Sequence, residues 1–325
     1  MRSEPAFHAH SEFLEELAAD VRAGLGGPGP KSLPSRYLYD DLGSALFEAI
    51  GFLPEYGLTR ADERILRTHA VEIVAAIRPP VTVAELGSGS GRKTRWILDA
   101  LASSRPVDYY PIDISSAALE RCTLELSRLP AVQVDPIEAD YLSGLSLVAS
   151  RRRKDERLLL LFLGSTIGNF EPDEAREFIR EIRRRLRPGD GFLLGTDLVK
   201  PAHEVIAAYD DALGVTAAFN LNLLRRLNRD LNADFDLDLF EHEARWDAAE
   251  RRVEMHLVAR SAHTVRIRAI DLRVSFRAGE SLWTESSYKF EIDDPVRIAK
   301  RARFTHVGMW VDPEWPFAES LLIAR

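Results

Sequence analysis

The chain has 325 residues, enough for one large domain or two ordinary ones. Hydrophobic residues make up 46% of it and charged residues 29%, as in ordinary soluble globular proteins. The formal net charge of −8 argues against a nucleic-acid partner, because phosphates would be repelled over most of the surface. No apolar run approaches the roughly 20 residues that a membrane-spanning helix needs, so we expect no membrane partner.

Two further features indicate the compartment. Cys122 is the single cysteine, which excludes an internal disulfide and fits a reducing cytoplasm. Residues 1–17 are acidic and lack the basic and apolar regions of a signal peptide. We therefore expect a cytoplasmic protein, and we expect it to be a monomer.

No metal site is expected. The acidic run Asp234-x-Asp236-x-Asp238 resembles a calcium loop, but its sixth position is Leu239 and its twelfth is Arg245. A calcium loop needs Gly and Glu there, so we interpret the run as a solvated turn.

The region before the first strand is predicted to be helical and rich in aromatic residues. Apolar spacing indicates a helix over 11–25, which ends at the Gly/Pro cluster 26–30, and a second helix over 60–78. Between them, 31–56 carries Tyr37, Tyr39, Phe47, Phe52 and Tyr56. Phenylalanines there can pack a small core, whereas tyrosines need partners for their hydroxyls and can line a polar or cationic site.

The stretch that follows is the most informative one. The apolar run 81–86 leads into Gly87, Gly89 and Gly91, and a helical pattern comes next. Strand, glycine turn and helix open a nucleotide-binding α/β unit. Position 92 is Arg, so the dinucleotide spacing G-x-G-x-x-G fails, and the P-loop spacing fails as well. An acidic residue followed by G-x-G-x-G favours S-adenosylmethionine (SAM), while an NAD-type site and a purely structural turn remain alternatives.

Strands and helices then alternate, which predicts a parallel sheet. We place strands near 81–86, 108–113, 133–138, 157–163 and 190–197. The second ends at Asp113, where a carboxylate can accept from both ribose hydroxyls, although a helix N-cap is a competing interpretation. The third leads to Asp140 and Tyr141, the usual position of an adenine contact; a simple turn aspartate is the alternative.

The fourth strand is apolar throughout and is followed by the loop Gly164-Ser165-Thr166-Ile167-Gly168-Asn169. Ligands bind at the carboxyl ends of strands in open α/β sheets, so this loop is predicted to face the cofactor. The carboxamide of Asn169 could accept from an amine and donate to a carboxylate.

After the fifth strand the pattern changes. A helical stretch over 202–229 is followed by alternating segments over 251–259 and 264–275, which we interpret as an antiparallel hairpin. This insertion indicates a second subdomain. A helix near 294–301 and strands over 304–311 and 318–323 then complete the sheet.

Together these stretches resemble the SAM-dependent histidine Nα-methyltransferases of ergothioneine biosynthesis, and the similarity covers nearly the whole chain. It is carried by KSLPSRYLYDDLGSALFEAI, LPEYGLTR, AELGSGSG, FLGSTIGNF, GTDLVK, AYDDALGVTAAFN, ADFDLDLFEHEARWD, VEMHL and TESSYKF. The resemblance implies a Rossmann-like class I SAM methyltransferase sheet in 61–199 plus 289–325. It also implies a second, α+β substrate-binding domain in 1–60 plus 200–288.

The resemblance also implies roles for individual residues. The amino and carboxylate groups of the substrate would be held by Tyr56, Asn169 and Tyr209, with Tyr56 and Asn169 orienting the amine. The imidazole would be recognised by Glu285 and Ser287, with Tyr39 close by, and Phe47 and Met255 would shape the pocket. SAM contacts would come from the following residues: Gly87, Gly89, Lys93, Asp113, Asp140 and Tyr141.

Each of three residues also has a simpler interpretation. Lys93 could be a residue on a helix surface, Ser287 a strand hydroxyl without a role in binding, and Tyr209 a residue of the hydrophobic core. The chain also departs from the family in one place. LPEY is commonly followed by Tyr-Pro-Thr-Arg, whereas Gly57-Leu58-Thr59-Arg60 stands here, so we expect a changed pocket rim next to Tyr56.

Three functions remain open from the sequence. They are a histidine methyltransferase or a relative for another aromatic amino acid, a Rossmann oxidoreductase, and a non-catalytic SAM-binding module. Glu285 favours histidine, because a carboxylate suits an imidazole N–H and is poorly paired against a phenyl ring.

Overall fold

The computed structural model describes the backbone from Glu4 to Arg325 and the side chains from Phe13 onward. No signal peptide is expected in residues 1–17, of which the backbone of 1–3 and the side chains of 1–12 lie outside the described part. Contacts between Cα atoms divide the chain into two compact units. The first, which we call the insertion unit, comprises 1–55 and 202–286, and the second, the sheet unit, comprises 56–201 and 287–325. Their boundaries lie within five residues of the expected domain boundaries.

The helices, in chain order, are α1 (Glu4–Gly26), α2 (Asp41–Ile50), α3 (Leu58–Ala75), α4 (Arg95–Ala102), α5 (Ser116–Leu126), α6 (Tyr141–Arg151), α7 (Pro172–Arg185), α8 (Ala202–Tyr209), α9 (Val215–Leu231) and α10 (Asp294–Arg301). The strands are β1 (Lys31–Ser32), β2 (Val81–Leu86), β3 (Val107–Asp113), β4 (Val132–Val134), β5 (Ile137–Glu138), β6 (Arg157–Phe162), β7 (Gly191–Asp197), β8 (Phe240–Asp247), β9 (Arg252–Ala259), β10 (His263–Ile267), β11 (Leu272–Phe276), β12 (Ser281–Tyr288), β13 (Phe304–Val311) and β14 (Phe317–Ala324). None of the helices in the described part of the chain is long and apolar enough to span a membrane.

The sheet unit is built on one mixed sheet with the order β13-β14-β7-β6-β2-β3-β4, and β5 also pairs with β3. Neighbours from β7 to β4 run parallel, whereas β14 is antiparallel to both β7 and β13. The order reverses direction at β2, which places the loop after β2 at a topological switch point. The predicted Rossmann-like sheet is confirmed.

The central strands of this sheet are covered on both faces. Every residue of β2 and β7 is buried, as are Leu158–Phe162 in β6. A strand buried on both faces has a continuous apolar sequence, which is why four of the six residues of β6 are leucine. Three buried carboxylates interrupt the apolar pattern of the sheet: Glu85 in β2, Asp197 in β7 and Glu319 in β14.

The insertion unit has an α+β arrangement. Its main sheet has the order β1-β12-β9-β8, and α9 packs against β8 and β9. The buried residues of α9 include leucines and Phe219 but also the polar Asn220 and Asn222. The predicted hairpin between 251–259 and 264–275 is wrong. β9 pairs with β8, and 264–275 itself folds into the hairpin β10–β11. Alternation alone indicates strands but does not say which strands pair.

Two further predictions need correction. The helix expected over 202–229 is divided into α8 and α9, and Gly214 adopts a φ of 73° between them. A residue with positive φ cannot continue a right-handed helix, and glycine adopts that conformation without a Cβ penalty. The strand expected over 133–138 is two short strands, β4 and β5, because Asp135-Pro136 interrupts the ladder.

Candidate active site

The glycine turn after β2 is shaped for close approach by a ligand. Gly87, Gly89 and Gly91 have φ values of 68°, 52° and 69°, a region that side chains disfavour. A Cβ placed on Gly89 would meet nothing within 4 Å, so the backbone there borders open space. The turn therefore presents bare backbone at the carboxyl end of the sheet.

Asp113, at the end of β3, is joined to that turn. Its Oδ2 accepts from the backbone N–H of Gly89 at 3.1 Å, and its Oδ1 accepts from Ser115 N at 3.0 Å. Burial raises the pKa of Asp113, while these backbone donors lower it. The helix-cap interpretation of Asp113 is wrong, because the N-cap of α5 is Ser115, whose hydroxyl accepts from Ala118 N at 3.2 Å.

Asp140 and Tyr141 occupy different environments although they are adjacent. Asp140 is exposed and caps α6, since its Oδ1 accepts from the backbone N–H groups of Leu142 and Ser143, each at 3.0 Å. The interpretation of Asp140 as a turn residue is thus confirmed for Oδ1. Its contact with the adenine stays a prediction. Tyr141 is half-buried, and its hydroxyl would lie 3.3 Å from a Cβ on Gly87. Burial, with Asp113 second, raises the pKa of Tyr141, so the phenol keeps its proton.

Lys93 is not a helix-surface residue. It lies in the turn before α4, and its ammonium donates to the buried carboxylate of Asp62. A Cβ on Gly164 would lie 3.4 Å from Lys93 Nζ. Lys93 thus connects the glycine turn with the loop after β6.

That loop carries Asn169. Ser165 begins it with a φ of 59° and accepts, through Oγ, from the backbone N–H of Asp197 at 2.9 Å. Residues Thr166–Asn169 then form one 3₁₀ turn that leaves Asn169 half-buried at its end. Gly168 is necessary because a Cβ there would lie 2.7 Å from the carbonyl oxygen of Tyr288.

Ser287 belongs to a buried ionic cluster in the sheet unit. Its Oγ accepts from Lys289 Nζ at 2.9 Å, and the same ammonium lies 3.0 Å from Asp197. Lys200 donates to the other oxygen of Asp197 at 2.5 Å. Burial would raise the pKa of Asp197, but the two lysines hold it below its usual value. Ser287 lies on β12, in agreement with the simpler interpretation, and its contact with the imidazole stays a prediction.

In the insertion unit, the structure brings Tyr39, Phe47 and Glu285 together. The Tyr39 hydroxyl donates to Glu285 Oε1 at 3.2 Å. The Tyr39 ring makes edge contacts with Phe47 and Phe219, with centroids 5.5 and 5.4 Å apart. Met255 is buried on β9, where its carbonyl oxygen accepts from Thr284 on the neighbouring strand at 3.0 Å. A mostly buried carboxylate thus stands beside a group of aromatic rings.

Tyr209 ends α8 and is 9% exposed. Its carbonyl oxygen lies 2.7 Å from Nε2 of His242, whose Nδ1 is 2.9 Å from the amide nitrogen of Asn220. Because that amide nitrogen can only donate, His242 carries its proton on Nε2 and donates to Tyr209. The position of Tyr209 is therefore fixed through its backbone. In the sheet unit, Tyr56 is buried immediately before α3.

The chain is similar to proteins of known function. The model of the family described as "histidine-specific methyltransferase, SAM-dependent" matches residues 17–324. The chain belongs to this family. It is 44% identical to a histidine N-alpha-methyltransferase of Mycolicibacterium smegmatis, over 97% of each chain. It is 42% identical to the protein of the same name in Mycobacterium tuberculosis, over 94% of each. An "ergothioneine biosynthesis protein 1" of Neurospora crassa is 35% identical over 62% of this chain and 23% of its own length.

Membership makes the chain a SAM-dependent methyltransferase, and the cofactor expected from the glycine turn is confirmed. The residues around the turn fit SAM: open space over Gly89 for the ligand, and Asp113 at the strand end for ribose hydroxyls. The ammonium of Lys93 suits the carboxylate of the methionine moiety.

Sequence reasoning missed several residues that organise this site. Asp62 occupies the apolar face of α3 with Leu58 and Ile65, and a carboxylate at such a position is the signal that could have found it. Phe219 lies within the predicted helical stretch 202–229, where an apolar residue indicates packing and not a site. Lys289 is the lysine of TESSYKF, but no spacing rule marks it as a partner of Asp197.

Proposed function

We propose that this protein transfers methyl groups from SAM to the α-amino nitrogen of L-histidine. Three transfers give the trimethylated betaine hercynine, an intermediate of ergothioneine biosynthesis. The enzyme acts as a monomer in the cytoplasm on the free amino acid. Family membership and the relatives named histidine N-alpha-methyltransferase support this assignment.

The observation that carries the choice of histidine is the contact between Tyr39 and Glu285. The phenol fixes one carboxylate oxygen at 3.2 Å, beside the rings of Phe47 and Phe219. A carboxylate held beside aromatic rings suits a flat ring that carries N–H donors. Indole and phenol side chains offer a different donor pattern, and a phenyl ring offers none.

Each residue has a part in this scheme. Glu285 and Ser287 bind the imidazole, and Asn169 and Tyr209 bind the carboxylate. Tyr56 and Asn169 orient the amine, which must be neutral so that its lone pair can react. Phe47 and Met255 limit the volume around the ring.

Bound SAM supplies an electrophilic methyl group on a positively charged sulfur. The protein contributes mainly position, since an in-line transfer requires the nitrogen within roughly 3–3.5 Å of the methyl carbon. The proton lost from the amine passes to water or to a tyrosine hydroxyl. Methylation removes the N–H donors one after another, so the substrate must be held through its carboxylate and its ring. Tyrosine faces can surround the growing ammonium.

A competition experiment tests the assignment. The enzyme receives SAM with equal concentrations of histidine, phenylalanine, tyrosine and tryptophan, and methylated products are quantified by mass spectrometry. We expect histidine to be preferred by at least about tenfold in kcat/KM, because a buried polar contact rejects substrates that leave it unpaired. Preference for another aromatic amino acid would contradict the proposal. Methylation of none would favour a binding module.

A further inference from the structure

A pair of buried carboxyl groups lies in the sheet unit beneath the loops that face the cofactor. Asp62, on α3, is fully buried, and its Oδ2 accepts both from Lys93 and from the backbone N–H of Gly164, the latter at 3.0 Å. One carboxylate oxygen thus holds the turn after β2 and the loop after β6 together. Oδ1 of Asp62 is inaccessible to solvent and has no hydrogen-bond partner among the described residues.

The second carboxyl group of the pair lies on a strand that neighbours β7. Glu319 on β14 is fully buried and pairs in register with Gly195 of β7. A Cβ on Gly195 would lie 2.6 Å from Glu319 Oε1 and 3.2 Å from the backbone nitrogen of Gly164. Glycine at 195 therefore makes room for this carboxyl group beside Gly164. Within the part of the chain that the structure describes, neither oxygen of Glu319 has a hydrogen-bond partner.

The protonation state of each of these two carboxyl groups depends on the other. Ionised carboxylates only accept hydrogen bonds, so Asp62 and Glu319 cannot satisfy one another until one of them carries a proton. A buried charge that has no partner is strongly unfavourable. Burial first, and the Asp62 carboxylate second, raise the pKa of Glu319 well above its ordinary value.

The other charged groups that face the pair are Lys93 and Glu85. Burial lowers the pKa of Lys93, but the neighbouring carboxylates, Asp62 first among them, raise it by more. The net result is a raised pKa, so the ammonium stays charged. Glu85 accepts from Thr94 at 2.6 Å and from Tyr109, and burial raises its pKa to about 7. One cation thus stands among three acidic groups, which cannot all be ionised without cost.

We infer that Asp62 and Glu319 share one proton, which Glu319 donates to Asp62 Oδ1, and that this acid pair is the positioning element for Lys93. The pair carries a single negative charge, matched to the single positive charge of the ammonium. Asp62 is then oriented so that Oδ2 holds Lys93 and Gly164 together. The inference rests on the proposed contact between Lys93 and the carboxylate of SAM.

Binding of S-adenosylhomocysteine, the demethylated product of SAM, tests the inference without any methyl transfer. In Glu319→Gln the amide N–H replaces the donated proton, and we expect the dissociation constant from calorimetry to stay within about threefold of wild type. Glu319→Leu leaves Asp62 Oδ1 unpaired, and Asp62→Asn removes the charge that Lys93 needs. Each should weaken binding by about tenfold or more, as loss of a charged hydrogen bond does.

Glu63→Gln is the matched control. Glu63 follows Asp62 on α3, and its carboxylate lies 3.1 Å from the guanidinium of Arg92, the residue before Lys93. The substitution removes this nearby charge and should leave the binding of S-adenosylhomocysteine unchanged. In a Lys93→Met background, Asp62→Asn should cause no further loss. Infrared spectra taken well above pH 7, where Glu85 is ionised, should show a protonated carboxylic acid that disappears in Glu319→Gln.

Several outcomes would overturn the inference. They are equal weakening by Glu319→Gln and Glu319→Leu, wild-type binding by Asp62→Asn, or no protonated acid in the wild-type spectrum. Unchanged binding by Lys93→Met would remove the contact on which the inference rests. None of these measurements uses histidine, so they are independent of the proposed substrate.

Discussion

The indole of Trp315 lies directly against the backbone of Gly57. A Cβ built on Gly57 would be only 2.2 Å from the ring, closer than any real contact. Trp315 is further held by Asp197, which accepts from its Nε1 at 3.3 Å, and by the ammonium of Lys200, 4.8 Å from its ring. The chain lacks the aromatic residue that commonly follows LPEY, and an aromatic ring from elsewhere in the sheet unit packs on that position.

This contact predicts that Gly57→Ala destabilises the protein by about 1–3 kcal/mol, the usual cost of overpacking. Gly57 has an ordinary helical φ of −70°, so the cost is steric and not conformational. In a Trp315→Ala background the same substitution should cost less than about 0.5 kcal/mol, because the clash is gone. Urea unfolding of the four proteins measures the coupling, and strictly additive effects would refute the contact.

Asp113 is predicted to be essential for cofactor binding. Asp113→Asn should raise the dissociation constant of SAM by about tenfold or more, because a charged acceptor worth ~1.5–3 kcal/mol becomes a neutral one. Asp108→Asn is a suitable control, since Asp108 lies on the same strand and is exposed. Calorimetric titration with SAM measures both. Equal affinities for the two variants would show that Asp113 only stabilises the turn through Gly89.

Glu85 predicts a pH dependence of stability. Burial raises its pKa from 4.5 to about 7 in the folded state, so the native protein binds a proton more tightly than the unfolded chain. Stability from this group is therefore present below pH 4.5 and is lost as the pH rises through 7. The loss is about 3 kcal/mol.

Glu85→Gln should remove that part of the pH dependence. The amide oxygen can still accept from Thr94 and Tyr109, so the packing is retained. Free energies of unfolding at pH 5 and pH 8 should differ less in the variant than in wild type by about 3 kcal/mol. An unchanged difference would mean that Glu85 does not titrate in this range.

The ring-binding role of Glu285 predicts a change in specificity. Glu285→Ala should reduce kcat/KM for histidine by about 10–100-fold, the equivalent of 1–3 kcal/mol for an unpaired buried polar group. Tyr39→Phe removes only the phenol that holds the carboxylate and should cost about 2–10-fold. Steady-state kinetics with the exposed Glu241→Ala as control would check this. Unchanged histidine turnover in Glu285→Ala would disprove the role.

Periodicity and turn chemistry were sufficient to predict the sheet unit. The apolar run of β6 and the alternating glycines depend on local rules, so their positions could be predicted to within a residue or two. Strand pairing in the insertion unit could not be predicted, because alternation does not identify which strands pair. The insertion of α8–β12 between β7 and β13 could be predicted, because the regular alternation of strands and helices stops after β7.

The site shows the same division. Asp113 and Asn169 follow strands whose ends meet at one edge of a parallel sheet, so the sequence alone could predict their neighbourhood. Lys93 bound to Asp62, and Lys289 bound to Asp197, depend on contacts between distant segments. No spacing encodes such pairs. A charged residue on an apolar helix face, as at Asp62, is the one clue that sequence reasoning could have used.

The proposed function requires that a substrate anchored by its ring and its carboxylate presents its α-nitrogen for methylation. The most direct measurement is NMR of the product formed from L-histidine and SAM carrying a ¹³C-labelled methyl group. We expect the label only on the α-nitrogen, and we expect the final product to carry three labelled methyl groups. Label on an imidazole nitrogen, or unlabelled histidine after complete incubation, would contradict it.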